Sequence, residues 1–227
     1  METRESGRTT ARVGFPRFLG LEWAEWRFVL GWVVASTAGA AAGAVADLAI
    51  LLAMAWAADR FAGDALWNIL GSLVIGAIVN AVLWAVFGAA AGAVVGTAQW
   101  IVLRKRVHQS GWWVLASAAG WAVGAVALST ALYVDEALAM VVGMVSTGAA
   151  AGIAQWIGLR KQFHRSGWWM LASTVAWIVA VAVAWSSEMG LVVGYVAGAI
   201  LAGFVLIKLL RHPAPKSLSR DQGYSAF

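Results

Sequence analysis

Residues 92–121, GAVVGTAQWIVLRKRVHQSGWWVLASAAGW, return 56 positions later as residues 148–177, GAAAGIAQWIGLRKQFHRSGWWMLASTVAW. Nineteen of the 30 aligned positions are identical, and they keep Gly-x-x-x-Gly, Gln-Trp, Leu-Arg-Lys, Ser-Gly-Trp-Trp and Leu-Ala-Ser. Each copy is an apolar segment, a basic turn and a second apolar segment, which is the pattern of a membrane helix hairpin. The chain is therefore predicted to be an all-α bundle that crosses a membrane several times.

The composition indicates the same class. The 227 residues are 62% hydrophobic and 12% charged, and the apolar runs reach the length of about 20 residues that a transmembrane helix needs. The net charge of +5 lies in short clusters beside these runs, so we expect the lipid bilayer and no nucleic acid as the partner. Cys is absent, which excludes disulfides and thiolate metal sites.

The apolar runs predict about six transmembrane helices, near residues 28–56, 68–104, 111–132, 137–160, 167–187 and 189–210. A polar segment at 1–27, partly lying along the membrane surface, precedes the bundle at 28–211, and a tail at 212–227 follows it. The basic turns and the basic tail fall on one side and the acidic connectors on the other. The positive-inside rule then places both termini in the cytoplasm, and we expect a bacterial inner membrane. The expected architecture is three two-helix repeats in parallel orientation.

Small residues recur on one face of the predicted helices, at the spacing of a helix-packing groove. The spacing of Trp32, Ser36, Gly39 and Gly43 returns in the second helix of both hairpins. The segment 28–56 is therefore interpreted as a third, degenerate copy of that helix. In the last span Gly190, Gly194 and Gly198 persist but no Gln follows. The residues predicted to pack helices together are Gly39, Gly43, Gly92, Gly96, Gly120, Gly124, Gly148 and Gly152.

The first repeat carries an extra apolar insertion of about 25 residues, at about 48–75. Either the first two helices are overlong and project beyond the outer membrane face, or 56–67 caps them as an interfacial hairpin. The sequence leaves open whether 66–104 is one long helix or a helix with an interfacial segment. An apolar projection on one repeat would suit a membrane protein partner.

Four polar residues fall inside apolar spans and form the candidate intramembrane site. Gln99 and Gln155 share a face with the packing glycines, so each amide is expected to look into the bundle. Asp47 is the acid inside an apolar run, and Asn80 is its candidate hydrogen-bond partner. These side chains are interpreted either as interhelical hydrogen bonds or as the lining of a polar pathway.

The two basic turns form a second candidate site, for anionic lipid headgroups, because each combines cations with an aromatic side chain. Its residues are Arg104, Lys105, His108, Trp112, Arg160, Lys161, His164 and Trp168. The nine Trp residues near this boundary, among them Trp32, Trp113 and Trp169, are interpreted as interfacial anchors. Two His residues without a carboxylate are a poor metal set, so no metal is predicted. A pigment or haem held by His108 and His164 is a further alternative.

The repeats resemble those of uncharacterised bacterial multi-pass membrane proteins that combine Gln-Trp-x-x-Leu-Arg turns with a Trp-Trp helix start. The resemblance covers 92–121 and 148–177, with traces at 32–43, and implies no function. Motifs of enzyme sites are absent from the sequence, so no catalytic residue and no cofactor is predicted. We expect a non-enzymatic accessory or scaffolding subunit or a lipid-organising bundle. The alternative is a small-solute channel or transporter with a polar pathway between repeats.

Overall fold

The structure, a computed structural model, describes residues 21–61, 73–107, 110–163, 165–186 and 189–213. These residues form six helices, namely α1 (Trp23–Phe61), α2 (Leu73–Leu103), α3 (Trp112–Ala131), α4 (Glu136–Leu159), α5 (Gly167–Ala184) and α6 (Gly190–Leu210). All six are long and apolar enough to cross a membrane. The prediction of an all-helical chain with six helices of membrane-spanning length and composition is therefore confirmed for the described residues, and such helices indicate an integral membrane protein.

The six helices form a closed ring. Each helix packs against the next one in the sequence, and α6 packs against α1. The α1 contacts Gly39 with Val95 and Gly43 with Ala91 show that α1 and α2 are antiparallel, because the numbers rise along one helix as they fall along the other. The same is true of each following pair, so odd-numbered helices run one way and even-numbered helices the other.

Glycines allow neighbouring helices to approach closely. A β-carbon on Gly120 would overlap Ala151 of α4, and one on Gly124 would overlap Thr147. Only a hydrogen atom fits at these two positions, and in lipid such close packing replaces the hydrophobic force that holds soluble helices together. The glycines that face a neighbouring helix include all eight of the predicted set, Gly39, Gly43, Gly92, Gly96, Gly120, Gly124, Gly148 and Gly152.

Contacts of three kinds help to close the ring between α6 and α1. The rings of Trp26 and Phe204 meet edge to face, with centroids 5.5 Å apart. The Tyr195 hydroxyl donates a hydrogen bond of 3.3 Å to the Ser36 carbonyl oxygen. Beyond the end of α6, Arg211 Nε donates to Glu25 Oε1 over 2.6 Å, and this ion pair joins the last turn of the bundle to the first.

The first two helices are much longer than the others. α1 has 39 residues and α2 has 31, which correspond to about 58 Å and about 46 Å of helix, whereas the 20 residues of α3 span about 30 Å. α2 is one continuous helix from Leu73, and α1 stays helical through Trp56 to Phe61. The remainder of the alternative hairpin at 56–67, from residue 62 on, lies outside the described residues.

The two ends of the ring differ in charge and in packing. The end with residues 104–107, 160–163 and Arg211 is here named the basic end. The opposite end, with the turn 132–135, is named the acidic end. At the acidic end Asp135 caps α4, because its Oδ1 accepts a 2.8 Å hydrogen bond from the Leu138 backbone N–H. The most fully buried large side chains are concentrated towards the basic end, and they include Trp32, Trp113, Leu103, Leu159 and Leu206.

Candidate functional site

Three Trp side chains meet on the axis of the ring, near its basic end. Trp32 of α1, Trp113 of α3 and Trp169 of α5 have exposed fractions of 2%, 0% and 2%. Their ring centroids lie 5.9, 5.9 and 5.3 Å apart, so each ring contacts the other two. We name these three residues the Trp cluster. Edge-to-face and tilted aromatic pairs of this kind attract one another, so the cluster closes this end of the axis.

The Trp cluster corrects the interpretation of these three side chains as interfacial anchors. A Trp anchor must reach the headgroup region, and these rings are buried inside the bundle instead. The signal was present in the sequence, since each of the three shares a helix face with a Ser four residues later and with small residues beyond it. Trp23 and Trp168, with exposed fractions of 57% and 63%, remain accessible from outside.

Each predicted Gln makes two side-chain hydrogen bonds that join three helices. Gln99 of α2 donates through Nε2 to Ser36 Oγ of α1 over 3.0 Å, and its Oε1 accepts from Trp113 Nε1 of α3 over 2.9 Å. Gln155 of α4 repeats the arrangement, donating to Ser117 Oγ over 3.0 Å and accepting from Trp169 Nε1 over 2.9 Å. Two of the three indole N–H groups in the Trp cluster, those of Trp113 and Trp169, therefore donate to a Gln side chain.

The third set of helices, α5, α6 and α1, has the Ser and the Trp of such a unit but no Gln between them. Between α5 and α1 the even-numbered helix is α6, and Trp32 Nε1 is buried without a hydrogen-bond partner among the described residues. The Ser173 hydroxyl, which corresponds to Ser36 and Ser117, donates over 3.0 Å to the Gly148 carbonyl oxygen. The ring is therefore nearly threefold in its polar interior, with one member of the third unit missing.

A cavity of about 70 Å³ lies on the axis between these three units. All six helices contribute to its wall, and the polar groups that line it are Ser36, Gln99, Ser117, Gln155, Ser173, Tyr195 and the indoles. Every described side chain in the wall is uncharged. Because an ion loses much of its hydration in a cavity without compensating charge, this inner cavity suits water or a small neutral polar solute.

A second, larger cavity of about 200 Å³ lies further towards the acidic end. It shares Trp121 and Trp177 with the inner cavity, and the two rings meet edge to face with centroids 5.5 Å apart. Asp47 lines this outer cavity beside Trp84 and Phe87, and its Oδ1 is buried with no hydrogen-bond partner in the described part of the chain. A carboxylate in such aromatic surroundings is costly to bury, so its position in the wall of the outer cavity marks it as a functional candidate.

The structure does not bring Asn80 to Asp47. In the register set by Gly39 with Val95 and Gly43 with Ala91, Asp47 lies level with Phe87. Asn80 is seven residues, or about 10 Å, further along α2. The four predicted polar residues therefore divide into two Gln residues at the inner cavity, one acid at the outer cavity and one amide apart from both.

The six candidate headgroup residues that the structure describes lie at the basic end. The side chains of Arg104, Lys105, Arg160 and Lys161 are exposed. The guanidinium groups of Arg104 and Arg160 lie over the Trp rings four residues earlier on their own helices, at 5.6 and 5.5 Å. Trp112 packs against Gly158, whereas Trp168 is exposed. His108 and His164 lie outside the described residues.

The sequence identified the two Gln residues, Asp47 and the absence of a Gln from the last span, but it did not identify the contact among the three Trp rings or the position of Tyr195 in the cavity wall. Within the described part of the chain, no group of three or more His, Cys, Asp or Glu residues is placed to hold a metal ion. Comparisons with known proteins add no assignment, since the chain matches no protein-family model, no curated protein and no solved structure.

Proposed function

We propose that this integral membrane protein is a small-solute channel or transporter whose pathway is the axis of the six-helix ring. The observation that carries the proposal is the inner cavity, which is built from the walls of all six helices and is lined by Ser, Gln and Trp side chains.

The chemistry of the wall favours a neutral solute. Gln99 and Gln155 present amides, and Ser36, Ser117 and Ser173 present hydroxyls, so polar groups of a solute would find donors and acceptors. A bare ion would meet an uncharged wall in a low-dielectric setting. The Trp cluster narrows the basic end and Trp121 with Trp177 narrows the other side, so the described conformation is the closed state of such a pathway.

Flux into proteoliposomes tests this function. Stopped-flow light scattering would follow the entry of urea, acetamide or glycerol, with protein-free liposomes as the baseline. The expected result is faster entry with the protein, reduced by Ala202→Met, which places a longer apolar side chain in the wall of the inner cavity. Leu115→Met, at a side chain that is 74% exposed, is the matched control and should leave the entry rate unchanged. Entry at the protein-free rate would overturn the proposal.

The proposed pathway runs through three parallel two-helix repeats with the basic end in the cytoplasm. The charge distribution supports this orientation, because Arg104, Lys105, Arg160 and Lys161 all lie at one end. The chain has no Cys, so single Cys residues report the topology directly. Val134→Cys, in an exposed turn at the acidic end, should react with a membrane-impermeant maleimide in intact cells. Gly111→Cys should react only after permeabilisation, and the reverse pattern would refute the orientation.

The length of α1 and α2 favours a second candidate function, that of an accessory or scaffolding subunit or a lipid-organising bundle. Their extra turns carry exposed apolar side chains, including Leu51, Leu52, Trp56, Ile75 and Ile78. A helix of about 58 Å exceeds a hydrocarbon core of about 30 Å even when tilted. Mild extraction from native membrane should then recover a partner protein or tightly held lipid, and a lone, lipid-free protein would contradict this role.

A further inference from the structure

We infer that the incomplete third unit of the ring is a binding site for one small carboxamide or urea-type molecule, which replaces the missing Gln side chain. The site lies between Trp32 of α1, Ser173 of α5 and Ala202 of α6. In the two complete units an amide from the even-numbered helix occupies the corresponding place.

Ala202 is the position on α6 that corresponds to the two Gln residues. Gln99 and Gln155 are each followed four residues later by a Leu with an exposed fraction of 0%, and Ala202 is followed at the same spacing by Leu206, also at 0%. All three positions line the inner cavity, as do the residues four positions earlier on each helix. The methyl group of Ala202 therefore stands where the chain elsewhere places a carboxamide.

With Ala202 in place of a Gln, Trp32 Nε1 and Ser173 Oγ are the polar groups that a ligand would bind. Trp32 Nε1 is a buried donor to which the described residues offer no acceptor, and in the complete units the equivalent indole donates to an amide oxygen over 2.9 Å. Ser173 Oγ donates its hydrogen to the Gly148 carbonyl oxygen. Its lone pairs therefore remain available to accept a hydrogen bond from a ligand. In the complete units the Ser oxygen accepts from an amide N–H over 3.0 Å. The ligand therefore needs a carbonyl oxygen and an N–H group that are both attached to one carbon atom.

The size of the cavity limits the ligand to a few atoms. The volume of about 70 Å³ is roughly half of the ~150 Å³ cavity that accommodates benzene in an engineered protein. Acetamide and urea each have about four non-hydrogen atoms and reproduce the end of a Gln side chain. Their neutrality agrees with the uncharged wall of the cavity.

This inference rests on the proposed function, because it names the solute class of the same cavity, but binding is measured apart from flux. The full-length protein in nanodiscs, labelled with ¹⁵N at Trp, gives one indole N–H signal per Trp, and Trp32→Phe identifies the Trp32 signal by its loss. Acetamide should move this signal saturably, while the signals of the exposed Trp23 and Trp168, which lie outside the cavity wall, stay. N,N-dimethylacetamide, which has no N–H for Ser173, should bind at least about tenfold more weakly, a change that corresponds to the loss of one hydrogen bond.

Two variants of Ala202 distinguish the effect of an amide group in the site from the effect of filling the site with an apolar side chain. Ala202→Gln should move the Trp32 signal to its acetamide-bound position without ligand and abolish the response to acetamide. Ala202→Met, of similar length but apolar, should abolish the response without moving the signal to that position. If either variant does not fold, the acetamide and dimethylacetamide titrations of the wild-type protein still decide.

Three results would overturn the inference: no saturable shift, equal affinity for the two amides, or a Trp32 signal already at the bound position and insensitive to acetamide, which would indicate water only. Saturable binding without flux would refute the proposed function and leave the binding site standing. Flux of acetamide without a response of the Trp32 signal would refute the binding site and leave the proposed function standing.

Discussion

The contribution of the buried Gln155 amide to the free energy of unfolding can be worked out from its two hydrogen bonds. Its side chain is 5% exposed and makes one hydrogen bond to Ser117 Oγ over 3.0 Å and one from Trp169 Nε1 over 2.9 Å. Replacement by Leu keeps a comparable volume but removes both hydrogen bonds. The Ser117 hydroxyl keeps its own bond to the Trp113 carbonyl oxygen, whereas the Trp169 N–H loses its partner.

The expected cost follows from these two losses. A buried donor without a partner costs about 1 to 3 kcal/mol. An interhelical side-chain hydrogen bond in a membrane protein averages about 0.6 kcal/mol. Gln155→Leu should therefore lower the free energy of unfolding by about 2 to 3 kcal/mol. Gln99→Leu should cost less, because Gln99 is only part-buried and water or lipid headgroups compensate its partners more easily.

A double-mutant cycle tests the assignment to the Trp169 donor. Trp169→Phe removes the N–H, so the double variant Gln155→Leu/Trp169→Phe contains no orphaned donor. Its destabilisation should be smaller than the sum of the two single values by about 1 to 2 kcal/mol. Reversible unfolding in mixed bicelles and detergent gives these energies, with Ile157→Leu at a lipid-facing side chain as the control. Additive values would refute the view that the Gln amide and the indole act as one unit.

Three further predictions concern the packing and the charges. Gly120→Ala should destabilise the bundle by about 1 to 3 kcal/mol, because its β-carbon would overlap Ala151, whereas Gly111→Ala, with open space around it, should be nearly neutral in the same unfolding assay. Asp47→Asn should stabilise the protein by about 1 kcal/mol, because it removes an uncompensated carboxylate from the outer cavity; thermal unfolding at neutral pH would measure this, and a lower midpoint would contradict it. Glu25→Gln removes the ion pair with Arg211 and should lower the unfolding midpoint at low salt, with a difference that disappears in about 1 M salt.

The outcomes of these experiments would contradict the reasoning in distinct ways. A neutral Gly120→Ala would show that α3 and α4 do not pack as closely as described. A salt-independent effect of Glu25→Gln would show that the α1–α6 junction depends on packing around the carboxylate more than on charge. The Asp47 result bears on the pathway, since a carboxylate kept at a cost in stability is expected where it serves a function.

The sequence by itself determined the helices, the hairpins and the inward face of each Gln. These are local properties: an apolar run of sufficient length must be helical in lipid, because its backbone groups find partners only within the helix. The facing of Gln99 and Gln155 follows from their spacing to the glycines, which is fixed by about 3.6 residues per turn. The long first helices were one of two alternatives, and α1 and α2 are indeed continuous.

The tertiary structure alone decided which faces meet. A helical period shows that Trp32 shares a face with Ser36, but that face contacts Trp113 and Trp169 only because α6 returns to α1 and closes the ring. Trp residues near a basic turn read alike in sequence, yet the ring buries Trp113 and Trp169 and leaves Trp168 exposed. The unpartnered indole of Trp32 arises in the same way, because its neighbour across the closure is Ala202, about 170 residues away in the chain, and no local pattern relates the two.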